Sequence, residues 1–439
     1  MIKIYAPWEE KFLKVSAPFE RFIKKQSTTG VILLVATILA LILANSPLSA
    51  WYDEFFHTDL GFSFGSFEMK HSLHHWINDA LMAIFFFIIG LEIKKEFISG
   101  ELSDIKVALL PIIAALGGMI VPAVIFAFFN YGSESIKGWG IPMATDIAFA
   151  VSILMLLKGR IPTSLVTFLI ALAIVDDLGA VVVIALFYTS ELHLSFLALA
   201  FAMFLVMVIL NRLGVHNTLV YFLVGVAMWY FMHESGVHAT IAGVVASLSI
   251  PTKPKYDPAG VVDFLKNQLN ELSKNKDLED KDKEILQGIK KHTNATLPPS
   301  TRLEHSLNLP VGLLVIPLFA FANAGISIDF SHFGEALLHS VSLGVIFGLI
   351  VGKAVGISLF SLVAIKLKVA SMPSSASVAQ LFGVSILAGI GFTMSMFISE
   401  LAFASNPEFI FEAKASILVA SIVAGSLGYI YLRVLSVLK

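Results

Sequence analysis

Asp176 and Asp177 stand side by side within an apolar stretch running from Ile161 to Tyr188. A carboxylate at the centre of a bilayer-length helix costs roughly 2.5–3.5 kcal/mol on insertion scales, and two neighbours also repel one another. Asp146, Lys353 and Asp79 are further charges inside apolar stretches. Adjacent residues on one helix project about 100° apart, so the two aspartates cannot face the same partner equally. Burial and mutual repulsion both favour the protonated form of a carboxylate, and the two sites are coupled. Such a pair can hold a proton or a hard cation, but not both comfortably. Oxygen donors without thiolates or a histidine cluster select an ion such as Na⁺ or Li⁺ over a transition metal. Lys353, the only lysine well inside an apolar span, is the expected counter-charge for Asp176. Three carboxylates against one lysine leave an acidic surplus that ion pairs serving packing alone would not need. The implied chemistry is the binding and movement of a small cation and protons across a membrane.

The elements that must position these groups carry breaks. One apolar stretch opens Gly140-Ile141-Pro142-Met143-Ala144-Thr145-Asp146, and another holds Gly389-Ile390-Gly391-Phe392-Thr393. Proline removes a backbone donor and glycine loosens the chain beside it. Two interrupted spans in corresponding places of an inverted repeat point to an ion site near the bilayer midplane. Opposed helix ends in low dielectric want compensating charge: Asp146 suits the positive N-terminal ends, and Lys353 suits the negative C-terminal ends.

Composition places these stretches in lipid. The chain has 439 residues, 14 % of them charged, and 36 phenylalanines; its mean hydropathy is +0.83. A soluble protein carries about 25 % charged residues. There is no cysteine, so disulfides, thiolate metal sites and thiol nucleophiles are excluded. No basic field suited to nucleic acid is present, and no cofactor is expected. Windows of about 20 residues give twelve candidate spans, near residues 28–46, 73–97, 106–129, 139–157, 162–188, 193–212, 216–233, 237–250, 309–328, 341–366, 379–402 and 410–436. The eighth is too short to cross alone.

Positive charge follows even-numbered spans (Lys94, Lys95 and Lys106; Lys158 and Arg160; Arg212; Lys366 and Lys368) and is scarce after odd ones, as twelve spans with both termini in the cytoplasm require. The reading is thus an all-α polytopic membrane protein with inverted repeats, one transporter domain over residues 1–439. Residues 1–26 form a cytoplasmic amphipathic segment, and 253–302 a long charged cytoplasmic insert, best read as a solvated helical hairpin. Phe55–Phe67, with Gly61 and Gly65, is expected to be a short hairpin on the outer face.

Several segments are distinctive: Trp76–Ala83 (WINDALMA), Gly90–Lys94 (GLEIK), Gly140–Phe149 (GIPMATDIAF), Val175–Ala180 (VDDLGA), Gly236–Thr240 (GVHAT), Pro317–Gly325 (PLFAFANAG) and Gly389–Ser395 (GIGFTMS). With them the chain resembles the NhaA-type bacterial sodium/proton antiporters from about residue 20 to its end, interrupted by the insert. That family is itself an example of the broken-helix architecture invoked above. The resemblance implies that Asp177 is the cation ligand and Asp176 the partner of Lys353, with Thr145 and Asp146 assisting at the unwound segment. It associates Asp79 with activity, and Glu92, His238 and Glu304 with the response to pH. It further implies electrogenic export of Na⁺ or Li⁺ against protons through a bacterial inner membrane, for sodium and pH homeostasis. The outer hairpin, 55–67, could pair with its twin in a homodimer. Two departures stand out: the eighth-to-ninth connection is some fifty residues long, and Thr301 stands where the family often has a lysine beside Arg302 and Glu304.

Other classes fit poorly. An intramembrane aspartyl protease needs aspartates on separate helices, one in a Gly-x-Gly-Asp context. There is no HExxH motif and no GxxxxGK[ST] phosphate loop. A sodium-coupled symporter would need groups to grip an organic solute, where this site is rich in carboxylates.

Overall fold

In lipid the backbone has to satisfy its own hydrogen bonds, which leaves long apolar segments the helix. The computed structural model describes residues 26–64, 67–157, 159–189, 192–272, 280–327 and 333–437. The expected amphipathic segment before residue 26 lies outside them, as do Gly65 and Lys158. Among the described residues a helix occupies each of the twelve apolar stretches, but not all are of bilayer length. Eight are long and apolar enough to cross, or up to ten if each of two bent pairs counts as one span. Thr218–Glu234 has 17 residues and Thr240–Ser249 only 10, both short of that length. Many large apolar side chains on these helices, among them Phe128, Leu186, Phe201 and Ile422, are exposed, as lipid-facing residues are.

The sheet is displaced from its expected position. Phe55 and Phe56 belong to the helix Ser49–His57, where Trp51 stacks on Phe55 at 5.5 Å and Tyr52 meets Phe56 edge-on at 5.1 Å. Burial of Tyr52 and Phe56 holds that turn helical, overriding the β-propensity of its aromatic residues. The hairpin begins after it, as strands β1 (Asp59–Phe64) and β2 (Phe67–Ser72), antiparallel in register Asp59↔Ser72 to Phe64↔Phe67. Ser72 then caps the next helix, its Oγ accepting from the His75 backbone N–H at 3.2 Å.

The chain divides into two compact units. The larger comprises the described parts of residues 1–82, 96–188 and 312–439. Within it Ile105–Phe129 packs against Lys353–Lys366 and against Thr163–Phe187. The first of these crossings is glycine to glycine: a Cβ on Gly117 would strike the Gly356 carbonyl, and a Cβ on Gly356 that of Gly117. Small residues let the backbones touch, and this closeness sets Lys353 into the interior. Two π-helical turns lie at informative places, Ile77–Leu81 around Asp79 and Gly348–Gly352 just before Lys353.

The smaller unit, residues 83–95 and 189–311, packs Leu194–Arg212 beside Thr218–Glu234. Leu91, Met207, Tyr221, Met228, Ala242 and Ile250 lie in its core. The C-terminal end of Thr240–Ser249 is satisfied by side chains: Asn211 donates to the Ser249 carbonyl at 2.7 Å, and Lys94 to those of Leu248 (2.6 Å) and Ile250 (2.5 Å). In the insert the helices Pro258–Leu272 and Asp280–Ala295 pack together, with the His292 ring 4.2 Å from Phe264 and 5.0 Å from Tyr256.

Candidate cation and proton site

The two interrupted spans meet at their breaks. In the first, a 3₁₀ segment, Glu134–Met143, ends in extended backbone over Ala144 and Asp146 before the α-helix Ile147–Leu156. In the second, Val378–Leu387 and Phe392–Ala402 are bent by 49°. Backbone freed by each break is taken up by the other: the Asp146 N–H donates to the Ile390 carbonyl at 2.6 Å, and Ser395 Oγ to the Ile141 carbonyl at 2.8 Å.

Asp146 sits between two helix N-termini. Its Oδ1 accepts from the Phe149 N–H at 3.0 Å, capping Ile147–Leu156. Its Oδ2 accepts from Thr393, from Oγ1 at 2.5 Å and from the backbone N–H at 3.2 Å, at the start of Phe392–Ala402. A buried carboxylate is held there by two positive helix ends and three hydrogen bonds. The negative ends are met differently from expectation. Hydroxyls take them, Thr145 Oγ1 donating to the Ala388 carbonyl at 2.9 Å and Ser395 to Ile141 as above. A neutral donor suffices for an orphan carbonyl, and Lys353 is engaged elsewhere.

Lys353 Nζ lies 2.5 Å from Asp176 Oδ2, with both side chains wholly buried. Thr145 Oγ1 donates to the same oxygen at 2.8 Å. That hydroxyl has one proton and two acceptors, Asp176 and Ala388, so neither receives it in full. The other Asp176 oxygen, Oδ1, is buried with no hydrogen-bond partner among the described residues. Asp177 follows on the same helix, Thr163–Phe187, and is 2 % exposed. The larger unit therefore brings together Thr145, Asp176 and Lys353 by direct bonds, with Asp146 and Asp177 as chain neighbours of Thr145 and Asp176.

The remaining candidates lie apart from these bonds. Asp79, on its π-helical turn, faces His75 at 3.2 Å. Glu92, His238 and Glu304 belong to the smaller unit. Glu304, on Pro299–Pro310, is buried against Lys95, whose Nζ lies 2.7 Å from its Oε1. Glu92 is half-buried on Met82–Ser99, and half-buried His238 precedes Thr240–Ser249, its carbonyl accepting from the Ile241 N–H at 3.0 Å.

Several polar contacts had no clear signal in the sequence. In the sequence Thr393 stands out only as part of a glycine-rich run, although a hydroxyl beside a break is placed to meet polar groups near the freed helix ends. Lys414 lies in the second turn of Pro407–Val437 and pairs with Glu400 at 2.5 Å, both largely buried. Beside that pair His74 bonds Asn323 at 3.1 Å, and Asn323 donates to Asn78 at 2.8 Å. Charges separated widely in sequence give no local signal of such pairing.

The family described as Na⁺/H⁺ antiporter 1 matches residues 20–432. A protein of Sulfurimonas denitrificans named Na(+)/H(+) antiporter NhaA is 56 % identical over 437 residues, covering 98 % of each chain. One of Saccharophagus degradans, Na(+)/H(+) antiporter NhaA 1, is 46 % identical over 97 % of this chain and 93 % of its own. A Helicobacter pylori Na(+)/H(+) antiporter NhaA is 47 % identical over 96 % of both. Crossed breaks around buried carboxylates and full-length similarity at this level lead to one conclusion: the chain belongs to the Na⁺/H⁺ antiporter 1 family.

Proposed function

We propose that this protein exchanges Na⁺, and Li⁺, for protons at Asp177 and Asp176, exporting the cation from a bacterial cell with more protons entering than sodium leaving. The observation that carries the reading is the buried bonding of Asp176 to Lys353 and Thr145 beside a second buried carboxylate, at the crossing of two broken spans. Similarity to proteins named Na(+)/H(+) antiporter supports it. Asp177 is the cation's principal ligand, with Asp176 and Thr145 within the same constellation. Sodium arriving from the cytoplasm displaces protons from the pair; the protein then exposes the site outward, and external protons displace sodium. Asp146 fixes the crossing, because moving it would leave two helix N-termini uncompensated. The shared proton of Thr145 gives Asp176 a donor whose direction can change with the charge of the carboxylate.

The finer architecture belongs to the same reading. Twelve spans in inverted repeats, with both termini in the cytoplasm of an inner membrane, agree with the alternation of Lys and Arg between connections. The β1–β2 hairpin then lies outside, where its free edge can add to that of a second copy to form a homodimer. Asp79 tunes activity through His75, and Glu304, held by Lys95, acts with Glu92 and His238 in the response to cytoplasmic pH. Adding Na⁺ to the purified protein in weak buffer tests the competition. Proton release that is lost in Asp177→Asn is expected; sodium binding without proton release would overturn it.

A further inference from the structure

Glu412 lies in the second turn of Pro407–Val437 with 4 % of its surface exposed. Its Oε1 meets His339 Nδ1 at 2.5 Å, while the His339 side chain keeps 52 % exposure. The pair is asymmetric: a carboxylate in the interior, and an imidazole that takes and loses its proton directly from water. The same two elements are joined a second time, by Ser342 Oγ donating to the Glu412 carbonyl at 3.2 Å. His339 is also the N-cap residue of Ser340–Phe347, so Glu412 stands near a positive helix end. Among the described residues, the charges that act on His339 are acidic: Glu412 and Glu408 from Pro407–Val437, and Glu335 from Phe333–Ala336. The hydrogen bond to Glu412, then the Glu412 charge, hold the His339 pKa above the ordinary histidine value, against a slight effect of burial.

What this pair holds is the arm leading to the lysine of the exchange site. Ser340–Phe347 runs through the π-helical turn Gly348–Gly352 directly into Lys353–Lys366. A π-turn is an irregularity found often at functional sites, and here its next residue is the partner of Asp176.

We propose that His339 and Glu412 form a proton-operated latch on the outward face, closed while the imidazole is charged and pinning the arm that ends at Lys353. When external pH rises and His339 loses its proton, the latch opens and the arm is free to shift during exchange. The inference rests on the antiport reading and on the orientation that places both residues outside.

Exchange in right-side-out vesicles, with the inner pH fixed and the outer pH at about 6 or about 9, tests it with two variants. Glutamine at 339 cannot become charged, and arginine stays charged. His339→Gln is expected to exchange about fivefold faster than the parent at the acid outer pH and to equal it at the alkaline one. His339→Arg is expected to equal the parent in acid and to be about fivefold slower in alkali. Comparison at one pH removes the effect of outer protons as substrate. Identical rates for all three at each pH overturn the latch and leave antiport intact. Equal slowing of both variants at both pH values marks a pair that only supports the fold, and also overturns it. A parent without sodium-dependent exchange overturns the underlying reading instead. Where the glutamine variant does not assemble, the arginine comparison decides.

Discussion

Thr393 reaches across from one broken span to Asp146 in the other, giving its carboxylate two hydrogen bonds, at 2.5 Å from Oγ1 and 3.2 Å from the backbone N–H. The first depends on the side chain and the second does not. Thr393→Val keeps shape and backbone but leaves a buried charge with one donor fewer. A loss of about 1–3 kcal/mol in stability is expected, read as a lowered melting temperature, together with a raised KM for Na⁺. An unchanged melting temperature would mean that Asp146 does not depend on that hydroxyl.

Lys353 and Asp176 are both fully buried, so removing one partner strands the other's charge. Lys353→Met is expected to cost about 3–5 kcal/mol. Adding Asp176→Asn should recover most of it, since no charge then remains unpaired, though exchange would stay lost. Additive losses in the double variant would argue against the pair.

Much of the site is legible in the sequence, and the physics says which part. Charges inside apolar runs announce themselves through their cost in lipid, so Asp146, Asp176, Asp177 and Lys353 can be singled out without a structure. Breaks at Gly140–Pro142 and Gly389–Gly391 are likewise visible, because glycine and proline act locally. Partners supplied by a distant segment are not. Thr393 finds Asp146 only through the crossing, and Lys414 finds Glu400 only because the helix begun at Pro407 brings it inside. The hairpin starts later than the sequence suggests because Ser49–His57 stays helical, burying Tyr52 and Phe56 on one face while Phe55 remains exposed.

Glu400 and Lys414 form a second largely buried pair in the larger unit. Lys414→Met alone is expected to destabilise by about 1–3 kcal/mol, and Glu400→Gln in that background to restore part of the loss. Thermal unfolding of the two single variants and the double gives the coupling directly. A coupling of zero would mean that the pair contributes nothing.

The pH dependence of stability has a defined sign at His339. Its pKa is raised in the fold by Glu412 first. The stabilisation is therefore complete below the ordinary histidine value, about 6.5, and fades as pH rises through the raised one. The melting temperature of the parent is expected to exceed that of His339→Gln most in acid, and the gap to close in alkali. A gap that stays constant with pH would contradict the charged contact.

The central claim is that sodium and protons compete at the aspartate pair. It is tested most directly by cation-induced collapse of a respiration-driven pH gradient in everted vesicles, for the parent and Asp177→Asn. Collapse by Na⁺ and Li⁺ but not K⁺ is expected in the parent, and none in the variant at equal amounts of inserted protein. Normal collapse in Asp177→Asn would contradict the account.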